Sequence, residues 1–234
     1  MSVGDVLGEA FDLYKRFFGH FVAIAFVFFI VVGAITLLLT LAGGYLAGGL
    51  IGALLSLVGF TWLAGTLVQA VADVRDGRVD MTIGETFSAA TPFIFPLIGA
   101  GILAGLGIAI GLILLIVPGL ILLTWWCLIG PVIVLERSGV MDSFGRSKEL
   151  VKGHGWSVFG VVILTWLLTT VIRGIIIAIL SPLSNWLGSF LADVIGGSLT
   201  APFAAVALTV MYFRLTRPAD EVAAAPLPGP ATPS

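Results

Sequence analysis

This chain reads as an all-α polytopic membrane protein with six transmembrane helices in three hairpins, each hairpin preceded by a cytoplasmic interfacial amphipathic helix. Two observations carry that reading. Ten of the eleven Lys and Arg residues fall at four places: Lys15 and Arg16, Arg75 and Arg78, the group Arg137, Arg146, Lys148 and Lys152, and Arg214 with Arg217. The intervals between them are almost free of charge and long enough to cross a bilayer and return. Composition agrees, with 59% hydrophobic residues and a mean hydropathy of +1.17. Only 10% of residues are charged, against about 25% in soluble domains.

The first segment, 3–18, alternates Val3, Val6, Leu7, Ala10, Phe11, Tyr14, Phe17 and Phe18 with Asp5, Glu9, Asp12, Lys15 and Arg16, which is helical periodicity with one apolar face. The first crossing, 21–41, is uncharged and spans about 31 Å as a helix, matching a hydrocarbon core of about 30 Å. Its length and flanks predict a retained span rather than a cleaved signal peptide. Gly43, Gly44, Gly48 and Gly49 mark a turn, and 47–72 returns. The second amphipathic segment, 82–92, opens with Thr82 and Glu85 at capping-box spacing. Crossings at 93–117 and 120–135 follow, joined by a turn at Pro118 and Gly119, and Pro131 predicts a kink near the end of the fourth. The third amphipathic segment is 139–152, and crossings at 157–180 and 190–213 complete a membrane domain over 1–217. The Pro- and Ala-rich stretch 218–234 reads as a disordered cytoplasmic tail.

Basic residues occupy the N-terminal segment, the second and fourth connections and the C-terminal segment. The positive-inside rule therefore predicts a plasma (inner) membrane protein with both termini cytoplasmic. The length fits a single membrane domain without an added soluble catalytic one. A net charge of −2 gives no field for nucleic acid. Cys127, the single cysteine, lies in an apolar run and reads as a packing residue.

Gly4-Asp5-Val6-Leu7-Gly8-Glu9-Ala10-Phe11, Ile116-Val117-Pro118-Gly119-Leu120 and Gly139-Val140-Met141-Asp142-Ser143-Phe144-Gly145-Arg146-Ser147, followed by Gly153-His154 and Trp156, carry a family likeness. Over about residues 3 to 215 the chain resembles the membrane domain of prokaryotic glycerophosphoryl diester phosphodiesterases and related stand-alone bacterial membrane proteins of uncharacterised role. In those phosphodiesterases a separate soluble barrel carries the metal-dependent chemistry. The resemblance thus implies an architecture and no catalytic residue.

Residue by residue, no catalytic, cofactor-binding or metal site is expected. The glycine-rich run 99–105 lies inside a crossing and opens no strand-turn-helix unit, so helix packing explains it better than a nucleotide loop. Gly44, Gly48 and Gly52, Gly101 and Gly105, and Gly107 and Gly111 are small-xxx-small faces for close helix approach. His20 and His154 are too few for a metal cluster and read as interfacial anchors beside Trp156. Ser143, Ser147 and Ser157 lack a nucleophile-elbow context.

Lys15, Arg16, Arg146, Lys148 and Lys152 are candidate lipid-headgroup contacts, with topology-setting charge as the competing reading. Arg173 and Asp193 depart from the charge map. Either they form an intramembrane ion pair, or Arg173 snorkels while Asp193 caps its helix.

Expected partners are membrane lipids, with a membrane-protein partner or self-association as further options. The function expected is a non-enzymatic membrane module, lipid-associated or scaffolding. The alternative is a small-molecule transporter or permease component, which needs midplane polar groups and broken helices; Arg173, Gln69, some Thr residues and Pro131 qualify. A lipid-modifying enzyme is the third and weakest option.

Overall fold

A computed structural model describes residues 2–183 and 185–216, with the side chains of 40, 43, 45–50 and 185–187 outside the description. Ser184 and the expected tail over 218–234 lie outside the described residues. Among those described there is no strand. The helices are α1 (Val3–Arg16), α2 (Phe18–Asp73), α3 (Ile83–Ala90), α4 (Ile94–Leu114), α5 (Ile116–Trp126), α6 (Ile129–Glu136), α7 (Val140–Val151), α8 (Gly155–Leu180) and α9 (Asn185–Thr216). Short 3-10 turns follow α2 at Val74–Asp76 and join α3 to α4 at Thr91–Phe93. Six helical stretches among the described residues are long and apolar enough to cross a membrane. The protein is an integral membrane protein.

Helix α2 contains two crossings. At Gly44 the backbone leaves the helix with φ 74° and ψ 171°, a conformation that a Cβ disfavours, and the chain reverses there. Thr36 then lies against Gly52, and Phe28 against Gly59. These pairings are symmetric about Gly44, so the halves of α2 run antiparallel. One end of the bundle thus carries Gly44, Leu115 and 181–183, and is called the turn end. The opposite end carries the clustered charges and is called the basic end.

The last crossing sits at the centre. Over an apolar 18-residue stretch of it 67% of residues are buried, against 6% in the corresponding stretch of α8. Val206, Ala207, Val210 and Met211 join Phe21, Ile24, Leu63 and Leu67 of α2 and Val6 and Ala10 of α1 in the main core. Aromatic side chains fill glycine hollows at the α2–α9 contact: Phe29 of α2 covers Gly197 of α9, and Phe190 of α9 covers Gly33 of α2. Burying a Phe this way removes apolar surface from lipid only, so dispersion in a close fit supplies the stabilisation.

Prolines set the irregularities. The turn between α4 and α5 is at Leu115 (φ −159°, ψ 135°), earlier than the Pro118–Gly119 position expected from sequence. Pro118 instead occupies the first turn of α5, where its missing N–H would have no partner in any case. Gly119 packs face to face with Gly111. The fourth crossing is broken into α5 and α6 at Cys127–Leu128. Pro131 explains the position, because its ring opposes the carbonyl four residues back, that of Cys127. The last four carbonyls of α5 then lack intrahelical donors. The Ser147 hydroxyl of α7 donates to the Trp125 carbonyl at 2.6 Å, and Cys127 Sγ donates to the Thr124 carbonyl at 3.2 Å.

Pro202 lies inside α9 and deprives the Ser198 carbonyl of its helical donor. At that level the Tyr14 hydroxyl of α1 donates to the Leu199 carbonyl at 3.0 Å. Burial pushes the Tyr14 phenol up to about 12, so it remains a donor throughout the physiological range.

Glycines within the crossings therefore differ in their surroundings. A Cβ at Gly197 would collide with the Phe29 ring, whereas one at Gly105 would meet nothing within 4 Å. Gly197→Ala should destabilise the protein by about 1–3 kcal/mol through overpacking. Gly105→Ala should stay within about 1 kcal/mol of the parent or stabilise it. Thermal unfolding in detergent of the two variants side by side checks the difference.

Candidate functional site

The charges inside the crossings meet at the turn end. Arg173 of α8 places Nη2 2.8 Å from Asp193 Oδ1 of α9. The stem of Arg173 crosses Gly196, one turn beyond Asp193, where a Cβ would stand 3.5 Å from its Cγ. Because α9 begins at Asn185, Asp193 is inside the helix. The capping alternative therefore fails: Asp193 is too far along α9 to accept from a first-turn amide.

The pair borders a cleft of about 770 Å³ between both halves of α2 and helices α8 and α9. Its walls are mostly apolar, built mainly by Phe28, Val32, Leu37, Phe60 and Phe190, with Thr36 and Ser56 as further polar residues. Both charged side chains remain partly exposed, 41% for Arg173 and 68% for Asp193. A second apolar cleft, about 300 Å³, lies beside the α5–α6 break and includes Cys127, Gly130, Pro131 and Ala205.

At the basic end the charges are mostly tied into the protein. Arg146 Nε of α7 lies 3.1 and 3.0 Å from the two carboxylate oxygens of Glu136, and Nη1 lies 3.8 Å from Glu149. The Tyr212 hydroxyl of α9 donates to Glu136 at 2.9 Å, so one carboxylate joins α6, α7 and α9. Arg214 pairs with Glu9 at 2.6 Å, fixing the C-terminal end of α9 to α1. Arg75 lies 3.8 Å above the Phe213 ring.

The five candidate headgroup residues separate into two groups. Arg146 is held as above, Lys148 Nζ lies 4.4 Å from the Trp125 ring centre, and Arg16 reaches the Gly77 carbonyl at 3.5 Å. The side chains of Lys15 and Lys152 are exposed and make no hydrogen bond or ion pair among the described residues. His20 is half-buried near the start of the first crossing, and His154 is exposed just before α8. Among the described residues no group of three His, Cys, Asp or Glu side chains could hold a metal.

Sequence reasoning missed the partners of Glu136, Glu9, Ser147 and Tyr14. The residue types were visible, but Glu136 and Tyr212 are 76 positions apart, and Glu9 and Arg214 are 205 apart. No local spacing rule connects them.

Comparison with known proteins gives one curated relative. The chain is 28% identical over 120 residues to a UPF0259 membrane protein of Pectobacterium carotovorum subsp. carotovorum (strain PC1), covering 51% of this chain and 47% of the relative. The chain thus spans about half the length of the curated relative it matches. That relative is bacterial and membrane-resident by name, and the name states no activity. No family model matches the sequence, and no solved structure matches it.

An unpaired Arg within a crossing costs at least about 2.5 kcal/mol on insertion scales. Arg173→Leu and Asp193→Asn should therefore each destabilise the fold, while the double variant should cost less than the sum by about 0.5–3 kcal/mol. Unfolding free energies from a double-mutant cycle in bilayers give the coupling directly. Strict additivity would show that the 2.8 Å contact contributes nothing.

Proposed function

We propose that the protein is a non-enzymatic, lipid-associated module of the bacterial inner membrane, with its basic end and both termini in the cytoplasm. The supporting observation is the set of side chains left outward at the basic end. Lys15 and Lys152 have no partner among the described residues, and Trp156 is 88% exposed four positions after Lys152. Phe11, Phe18 and Met141 also project from the protein. Ammonium groups combined with exposed aromatic and apolar side chains match the boundary of an anionic leaflet, where the cation meets phosphate and the ring lies at headgroup level.

The resemblance to phosphodiesterase membrane domains supports a membrane module and supplies no catalytic residue. Of the described carboxylates, Glu9, Glu136 and Asp193 are engaged by arginines, an arrangement that holds helices together. A small-molecule permease component is the second reading, favoured by the helix break at Cys127–Leu128 and by an ion pair beside a 770 Å³ cleft. That function would require the cleft to open alternately to both ends.

Four outcomes follow. Phosphatidylglycerol should raise the unfolding temperature in detergent more than phosphatidylcholine does. Replacing Lys15 and Lys152 by Gln should remove most of that difference, at about 1 kcal/mol per lysine near an anionic surface. In a Cys127→Ala background, Ser181→Cys should react with an impermeant thiol reagent from outside the cell and Val79→Cys only after lysis; the opposite pattern would reverse the orientation. The purified chain should leave glycerophosphodiesters intact with and without divalent metal, and turnover that survives removal of contaminating hydrolases would defeat the non-enzymatic reading.

A further inference from the structure

The turn-end cleft combines an apolar interior with two unlike charges whose bonding capacity is only partly used. Arg173 commits one nitrogen, Nη2, to Asp193 Oδ1. Its Nε and Nη1 donors, and the second carboxylate oxygen of Asp193, have no partner among the described residues. The site is neutral as a unit, yet it offers guanidinium donors at one point and a carboxylate acceptor beside it. Its complement is a zwitterion that carries an anionic oxygen group and a protonated amine on one short headgroup.

Depth permits a headgroup to reach it. Helix α8 has 26 residues, about 39 Å, which exceeds a hydrocarbon core of about 30 Å, so its ends emerge by several ångströms. Arg173 lies about 10 Å from the α8 end at Leu180, so its Cα is only some 5 Å below the boundary, and its side chain is long enough to cross that distance. The volume of about 770 Å³ is within the usual range for sites that enclose most of a ligand, about 300–1,000 Å³. Phe28, Val32, Leu37 and Phe60 present an interior suited to hydrocarbon.

We infer that this cleft holds one glycerophospholipid with an ethanolamine headgroup, its phosphate on Arg173, its ammonium on Asp193 and acyl chain between α2, α8 and α9. The inference rests on the lipid-associated reading above and adds a defined site and headgroup to it. A choline headgroup has no N–H to donate to Asp193. Phosphatidylglycerol brings a net negative charge that Asp193 repels. Selectivity for the ethanolamine lipid comes from the carboxylate, and retention comes from the apolar walls and Arg173.

The test uses the full chain purified in mild detergent and mixed with equimolar phosphatidylethanolamine, phosphatidylcholine and phosphatidylglycerol of identical acyl chains, read by native mass spectrometry. The parent protein should carry a single phosphatidylethanolamine adduct at about fivefold or more over phosphatidylcholine, roughly 1 kcal/mol of selectivity. Asp193→Asn should level ethanolamine and choline lipids. Ser56→Phe and, independently, Val32→Phe fill the cleft while keeping the ion pair, and each should reduce the adduct by about tenfold. Each variant is first checked for a cooperative unfolding transition.

Equal retention of the three lipids by the parent, or undiminished phosphatidylethanolamine in both folded filled-cleft variants, would overturn the inference. Retention of phosphatidylglycerol that depends on Lys15 and Lys152 would still leave the lipid-associated reading standing. If no phospholipid of any class is retained by the parent protein, both readings fall together.

Discussion

The rest of this structure depends on the absence of water from the hydrocarbon layer, which obliges the protein to supply a donor for each carbonyl that a helix leaves open. Two prolines open such carbonyls. Pro131 breaks the fourth crossing at Cys127–Leu128, and Pro202 removes a donor from the middle of α9. Near each defect a hydroxyl arrives from a helix outside the six crossings: Ser147 of α7 bonds the Trp125 carbonyl at the open end of α5, and Tyr14 of α1 bonds the Leu199 carbonyl, next to the Ser198 carbonyl that Pro202 leaves without its helical donor. Helices α1 and α7 are thus attached to the bundle by directed bonds as well as by their buried faces. Val6 and Ala10 of α1 and Leu150 and Val151 of α7 enter the same core as α9.

Charge follows the same constraint. A guanidinium or carboxylate that leaves water needs a partner, and Arg173 with Asp193 form the pair found within the crossings among the described residues. The remaining pairs gather at the basic end, where Glu136 with Arg146 and Tyr212, and Glu9 with Arg214, join helices distant in sequence. They join the ends of α6, α7, α9 and α1 while α8 keeps most of its surface outward. The central position of α9 also has a packing basis, because Gly197 and Gly196 admit the Phe29 ring and the Arg173 stem close to its axis.

Much of the architecture is legible in the sequence because both bilayer thickness and the exclusion of charge act on stretches of a single helix. Three intervals, each long enough for two apolar crossings, follow from the spacing of Lys15, Arg75, Arg137 and Arg214. Boundaries are less legible. Pro118 and Gly119 resemble a turn, but a proline is equally at home in the first turn of a helix, and the chain reverses at Leu115. Glycine spacing is ambiguous for a related reason. Gly107 receives Trp126 while Gly101 and Gly105 on the same helix face open space, and Gly33 and Gly197, outside the spacing patterns, receive Phe190 and Phe29. Which glycine is a packing site depends on the partner helix, and the sequence of one helix does not contain it. The charges at Arg173 and Asp193 could be singled out because they interrupt the charge map, whereas Arg146 looked available to lipid until Glu136 was found beside it.

The most direct test of the donor-supply principle is at Trp125. Trp125-Trp126 is the sole Trp-Trp step in the sequence, so tryptophan labelled with carbonyl carbon-13 and nitrogen-15 yields a single carbonyl–amide correlation, that of the Trp125 carbonyl. With the Ser147 hydroxyl donating at 2.6 Å, Ser147→Ala should move this carbonyl resonance upfield. Ser143→Ala, which removes a hydroxyl bonded instead to the Val140 carbonyl, should leave it in place. A Trp125 carbonyl unmoved by Ser147→Ala in the folded protein, or moved equally by both substitutions, would contradict the claim that α7 supplies the donor at the broken crossing.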